Sequence, residues 1–270
     1  MSLLAFLPFV PLQVLTGSLV IVLQSWVEAS ALLCGVVYVL MFLFVRNQKQ
    51  NRLPSESYKR WKRMYNWCQV GFNLGMVLYA VVAVYEDWPV SAKLWMNVGH
   101  NDGIYLNAQV FILLHAWNKM VDMCDTFFIL YEGKRQRLTF LHVYHHLVVM
   151  LIWVWLSSEY HGVCRPTIAF GAMINSVIHA LMYAYYNLST NSKVGPWIRQ
   201  NKLWLTGAQM MQFLIGCIHA VLVGLYDSEC QELPWSWTVQ LVFLLHMFYL
   251  FAKFFAREIS RKSLSRKKIE

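Results

Sequence analysis

Hydrophobic residues fall into seven long runs separated by short polar stretches, each run of roughly membrane-spanning length. The first goes from about Leu12 to Val45, interrupted by Gln24 and Glu28. The others cover about Met64 to Tyr85, Ala108 to Tyr131, Leu138 to Leu156, Thr167 to Tyr186, Leu203 to Tyr226 and Pro234 to Ala256. Each predicts one helix. The expected fold is an all-α integral membrane protein with seven transmembrane helices, a single domain over residues 1–270 with a basic tail at about 257–270. The stretch around Pro8 and Pro11 lacks a basic n-region, so no cleaved signal peptide is expected.

Composition agrees: 58% of residues are hydrophobic and mean hydropathy is +0.42, which a soluble domain does not explain. The net charge of +9 would suggest nucleic acid if it lay on one soluble face. Instead the bases sit between runs. Arg46, Lys49, Arg52, Lys59, Arg60, Lys62 and Arg63 fill the first gap; Lys134, Arg135 and Arg137 the third; Lys193, Arg199 and Lys202 the fifth. The tail adds Arg257, Arg261, Lys262, Arg266, Lys267 and Lys268, whereas the other gaps hold Glu86, Asp87, Asp102, Glu159, Asp227, Glu229 and Glu232. By the positive-inside rule the N-terminus is expected to be lumenal and the tail cytosolic.

Lys267-Lys268-Ile269-Glu270 looks like a dilysine retrieval signal of the endoplasmic reticulum; the competing reading is a basic tail attracted to anionic lipid. Asn187-Leu188-Ser189 fits a glycosylation sequon but falls on the cytosolic side, where it is expected to go unused. The six cysteines form no CxxC pair, which signals neither a disulfide framework nor a zinc site. Cys164 and Cys230 fall on the lumenal side, where a bridge and two free thiols are both open readings.

The chemistry concentrates at His142, His145 and His146. At i, i+3 and i+4 three imidazoles share one helical face, inside a run where polar groups are costly unless they have a task. Other polar residues reach the same depth. At 1.5 Å per residue, Asp125 and Asp122 lie roughly 9 and 14 Å inside the third run, and the histidines roughly 6 to 12 Å inside the fourth. His179 and Asn175 lie roughly 10 and 16 Å inside the fifth, and Gln209 and Gln212 roughly 9 and 14 Å inside the sixth. Each set keeps to one face: Lys119, Asp122, Asp125 and Thr126; Asn175, His179, Met182, Tyr183 and Tyr186; Thr206, Gln209, Gln212 and Phe213. A polar chamber open to the cytosol and continuing into an apolar tunnel is expected. Lys119 with Asp122 also reads as a structural ion pair, and Gln209 with Gln212 as interhelical glue. His100, His115, His161, His219 and His246 show no partner pattern and are expected to be structural or solvent-facing.

Four motifs together resemble the ELO/ELOVL family of very-long-chain fatty acid elongases, membrane 3-ketoacyl-CoA synthases. Lys119-Met120-Val121-Asp122-Met123-Cys124-Asp125-Thr126 is similar to KxxExxDT, and His142-Val143-Tyr144-His145-His146 is HxxHH. Asn175 through His179 to Met182-Tyr183-Ala184-Tyr185-Tyr186 is similar to NxxxHxxMYxYY, and Thr206 through Gln209 to Gln212-Phe213 to TxxQxxQF. Asp122 departs from the pattern, standing where the family usually has Glu.

The resemblance implies condensation of a long-chain acyl-CoA with malonyl-CoA to 3-ketoacyl-CoA, CO2 and CoA, in the endoplasmic reticulum, without metal or cofactor. It implies six helices around an acyl tunnel closed at its lumenal end. His145 would be the nucleophile that forms an acyl-imidazole, with His179 its partner. His142 and His146 would orient it, shuttle protons or bind the thioester carbonyl; Asn175, Gln209, Gln212 and Tyr183 would polarise an enolate or oxyanion. Asp122 and Asp125 belong to the same catalytic group, with Lys119, Thr126, Tyr186 and Thr206 on the substrate side. Lys134, Arg135, Arg137, Lys193, Arg199 and Lys202 are placed for CoA phosphates or serve as topogenic charge. The expected partners are the ketoacyl reductase, dehydratase and enoyl reductase of the cycle, membrane lipid, and a second copy in a homodimer; nucleic acid is not expected. Gly133 to Leu138 looks closer to members acting on saturated and monounsaturated chains. Two rivals are a di-iron desaturase or hydroxylase, for which one histidine box offers too few ligands, and a seven-span receptor or transporter, which gives no reason for a His, Asp and Gln layer.

Overall fold

Apolar runs become helices whose ends follow capping, proline and charge. The computed structural model describes residues 17–45, 55–86, 102–159 and 162–267. Pro8, Pro11, Arg46, Lys49, Arg52, Asp87, Lys93, His100, His161 and Lys268-Ile269-Glu270 lie outside them. The helices are α1 (Gly17–Val45), α2 (Glu56–Glu86), α3 (Asp102–Val121), α4 (Cys124–Tyr131), α5 (Phe140–Ser158), α6 (Arg165–Leu188), α7 (Gly195–Gln200), α8 (Lys202–Tyr226), α9 (Ser228–Glu232) and α10 (Pro234–Lys267). No strand occurs among the described residues. Thr139 caps α5 by accepting from the His142 N–H at 3.2 Å, and Pro166 sits in the first turn of α6, where its missing N–H costs nothing.

Among the described residues, five helices, α1, α5, α6, α8 and α10, are long and apolar enough to cross a membrane. The chain is an all-α membrane protein. Both α2 and α10 run past the apolar segments at their basic ends. α2 begins with Lys59, Arg60, Lys62 and Arg63 in its first turns, and α10 carries Arg257 and Arg261 beyond Ala256.

The third run differs from the single helix expected. It breaks at Asp122 and Met123, between α3 and α4. The Met123, Asp125 and Thr126 N–H groups donate to the carbonyls of Met120, Asp122 and Met123, each at 3.1 Å. These are i to i−3 bonds, so the segment tightens to 3₁₀ geometry, where residues three apart eclipse.

Six of the long elements close a ring. α2 packs on α6, α6 on α8, α8 on α10, and α3 on both α2 and α5. Phe213, Met247 and Phe251, packed with Leu141 and Tyr144, bring α10 against α5. α1 lies against α3 and α5, burying Val27, Ala31 and Tyr38. Lipid offers no hydrophobic drive between helices, so close approach matters. Gly224 provides it: a Cβ there would stand 2.5 Å from the Trp237 ring of α10.

Cys164 and Cys230 form a disulfide, which decides between the two readings left open by the sequence. It joins the α5–α6 connection to α9, and the Cys164 N–H donates to Ser236 Oγ of α10 at 2.9 Å. Cys34, Cys68, Cys124 and Cys217 are free thiols.

Candidate active site

The α5 cap starts the helix just before the histidines, so all three emerge in its first two turns. Their rings then go to different partners. His142 Nε2 lies 2.9 Å from Thr126 Oγ1, which donates to the Tyr38 hydroxyl at 3.1 Å and ties α1 to the site. The His146 ring centroid lies 4.4 Å from that of His142 and 5.7 Å from that of His145. His145 is edge-on to Phe251 at 5.7 Å, and its Nδ1 is buried with no protein hydrogen-bond partner among the described residues.

The 3₁₀ break builds the acidic half. It eclipses Asp122 and Asp125, so both carboxylates meet one phenol: Tyr183 Oη is 2.7 Å from Asp122 Oδ1 and 2.8 Å from Asp125 Oδ2. Lys119 Nζ donates to Asp122 Oδ2 at 3.0 Å and Gln69 Nε2 to Asp122 Oδ1 at 3.2 Å. His179 stands between, with Nε2 3.4 Å from Lys119 Nζ and Nδ1 3.3 Å from Asp122 Oδ2, the latter off the line of a hydrogen bond. Lys119 is 3% exposed and Asp122 2%. A charge pair this deep costs several kcal/mol per ion, on the order the handful of donors on Asp122 must offset.

Two cavities meet at His145. The larger, about 100 Å³, is apolar and walled by α5, α6, α8 and α10. Its lining runs from His145, Asn175 and Gln212 to Cys164, Trp235 and Ser236. From His145 to Leu156 its wall on α5 covers roughly 16 Å. The smaller, about 10 Å³, lies among Lys119, Asp122, His145, His146, Val149 and His179. That is room for about one water.

Most of the expected layer is therefore brought together, though not all in the expected place. Asn175 and Gln212 face the apolar cavity beside His145. Tyr183 lines neither cavity; its hydroxyl is turned to the two aspartates. Gln209 is half-buried and also lines neither, Thr206 is buried, and Tyr186 packs edge-on to Tyr183 at 5.9 Å.

Tyr65, Asn66 and Gln69 of α2 were not singled out by the sequence reading. Tyr65 Oη lies 3.2 Å from the Val121 carbonyl and 3.3 Å from Tyr183 Oη. Asn66 Nδ2 donates to Asn187 Oδ1 at 2.9 Å, and Asn187 Nδ2 to the Arg63 carbonyl at 2.9 Å, so the sequon amide is buried and engaged. The signal was there: Asn66, Gln69 and Asn73 at i, i+3 and i+7 form a polar stripe along an apolar run.

The basic loops are partly committed. Lys134 and Lys62 reach Glu132 at 2.7 and 2.5 Å, Lys202 pairs with Glu258, and Arg199 donates to the Ser189 carbonyl. Arg137 and Lys193 are exposed and Arg135 half-buried. Burial pushes the Glu132 carboxyl up, but hydrogen bonds from Lys134 and Lys62 and their charges win, holding it below its ordinary 4.5.

A family model described as ELO: GNS1/SUR4 family matches residues 23–267. The chain belongs to the ELO family. ELO relatives include "Fatty acid elongase 5" of Leishmania major, 34% identical over 236 residues, covering 84% of each chain. "Fatty acid elongase 4" of Trypanosoma brucei brucei is 31% identical over 234 residues, 86% of this chain and 84% of its own. "Very long chain fatty acid elongase 5" of Mus musculus is 28% identical over 236 residues, 87% and 76% of the two chains. The ELO match runs from within α1 to the end of α10, and so includes both halves of the site.

Proposed function

We propose that this ELO-family chain is a fatty acid elongase that condenses a long-chain acyl-CoA with malonyl-CoA, giving 3-ketoacyl-CoA, CO2 and CoA. The supporting observation is the position of His145, at the junction of an apolar cavity and a pocket lined by Lys119, Asp122, His146 and His179. An acyl chain would lie in the first and its thioester carbonyl at the junction. His145 attacks that carbonyl, the acyl-sulfur bond breaks, and the acyl group rests on imidazole nitrogen. Asn175 and Gln212 lie beside it, where an amide N–H stabilises the oxyanion. Loss of CO2 from malonyl-CoA then supplies the carbon nucleophile.

In this reading the seven long segments all span the membrane, with the basic loops and tail cytosolic and the disulfide lumenal. A bridge between Cys164 and Cys230 supports that orientation, since such bonds persist in oxidising compartments. Arg137 and Lys193 at the cytosolic mouth would take CoA phosphates, and the product would pass to a ketoacyl reductase, a dehydratase and an enoyl reductase of the endoplasmic reticulum.

The test is transfer of label from [2-14C]malonyl-CoA into acyl chains by purified, detergent-solubilised protein, over a panel of primer lengths, beside His145→Ala. Labelled 3-keto product is expected from the wild type alone. A folded wild type that incorporates no label from any primer sinks the reading.

A further inference from the structure

Tyr183 has one hydroxyl hydrogen and two carboxyl neighbours. Asp122 Oδ1 and Asp125 Oδ2, at 2.7 and 2.8 Å from its oxygen, are both at hydrogen-bond distance, yet that hydrogen serves only one of them well. The Tyr65 hydroxyl, 3.3 Å away, has the Val121 carbonyl to donate to. A second proton therefore belongs on a carboxyl, because two carboxylates that share one site do not both ionise readily. Asp122 accepts from Lys119 and Gln69 as well, which makes it the ionised one. Asp125 has Tyr183 as its side-chain partner among the described residues. Asp125 is half-buried, whereas Asp122 is 2% exposed and lines the small pocket, so the row leads from the less enclosed residue inward to that pocket.

We propose that Asp125 is held protonated, and that Asp125, Tyr183 and Asp122 relay to His145 the proton that each condensation consumes. This rests on the elongase reading and deepens it. The overall reaction takes in acyl-CoA, the malonyl-CoA carboxylate and one proton, and releases 3-ketoacyl-CoA, CO2 and CoA thiol. In the first half the acyl-sulfur bond breaks and an acyl-nitrogen bond forms; the proton lost by His145 ends on the CoA sulfur, and no net proton is needed. In the second half the bond to the malonyl carboxylate breaks, and its electron pair forms the new carbon-carbon bond at the acyl carbonyl. The acyl-nitrogen bond then breaks with its pair left on imidazole, which requires a proton. Asp125 gives its proton to the Tyr183 oxygen, Tyr183 passes its own to Asp122, and Asp122 delivers one across the pocket to His145. A proton from bulk water then restores Asp125 to its protonated form.

Asp125 and Tyr183 act through Asp122, so two readouts beyond fold are needed. The first is infrared spectroscopy of the purified protein near neutral pH. A protonated-carboxyl C=O band that shifts in D2O and vanishes in Asp125→Asn is expected; its absence from the wild type overturns the proposal. The second splits the reaction. Wild type mixed with acyl-CoA alone should release CoA in a burst, and Asp125→Asn and Tyr183→Phe should retain that burst while steady-state condensation falls by about 100-fold. Condensation at the wild-type rate in both variants sinks the relay and leaves the elongase reading intact. A wild type with neither burst nor product sinks that reading too, and His145→Ala, lacking the burst in a working system, tells the two failures apart.

Discussion

Lys119 and Asp122 show how a buried pair is held: Lys119 donates to Asp122, and Gln69 and Tyr183 add their own hydrogen bonds to the same carboxylate. Asp122 stands where the resembling motif has the longer Glu, and several partners converge on the shorter carboxylate. The 3₁₀ tightening, the Gln69 amide and the Tyr183 hydroxyl all reach it. Gln69 belongs to a helix outside the four motifs, so motif spacing alone did not reveal it. At the basic end of the bundle the same logic acts on Glu132, whose side chain is 6% exposed between Lys62 and Lys134. Its carboxyl is depressed below 4.5, so its stabilisation is complete above that value and lost as pH falls through the depressed one. Thermal unfolding of wild type and Glu132→Gln should therefore differ at neutral pH and converge in acid once pH has fallen through the depressed value. A gap independent of pH would remove the carboxylate from the account.

Helices α5, α6 and α8 begin and end within two or three residues of the runs read from sequence, because their ends carry strong signals: Thr139 as cap, Pro166 in a first turn, Lys202 at the start of a run. The α3–α4 break carried none. No Gly or Pro marks Asp122 and Met123, and the tightening is a tertiary effect, made where Tyr183 and Lys119 hold the carboxylates. The Asn66, Gln69 and Asn73 stripe passed as scattered polarity, since a stripe acquires meaning from what faces it. The apolar cavity was expected, but its lining was not, because that depends on which side chains meet across helices. Gly171 is part of that lining. A Cβ there would lie 3.5 Å from Gln240 Nε2 and 3.7 Å from Trp153 Cη2, ordinary contacts, and further atoms would enter the cavity. Gly171→Leu should thus keep activity on short primers and lose about tenfold or more in kcat/KM on the longest. Equal losses across the primer panel would show that the site is not on the chain's path.

For the molecule as a whole, the disulfide is the one covalent tie across the ring. It links residues 66 apart, which corresponds to about 4 kcal/mol in the chain-entropy account. Cys164→Ser, Cys230→Ser and the double variant should all lower the midpoint of thermal inactivation in detergent by the same amount, since each removes the same bridge. Additive losses in the double variant would mean that the thiols matter separately. Sequence could place both cysteines on one side of the membrane but could not pair them, because pairing depends on α9 folding back over the α5–α6 connection.

The cavity runs along α5 between His145 and that bridged corner. If His145 holds the reacting end of the chain, as proposed, each pair of carbons added there pushes the far end toward Cys164 and Trp235. The room left before that corner then sets where lengthening stops.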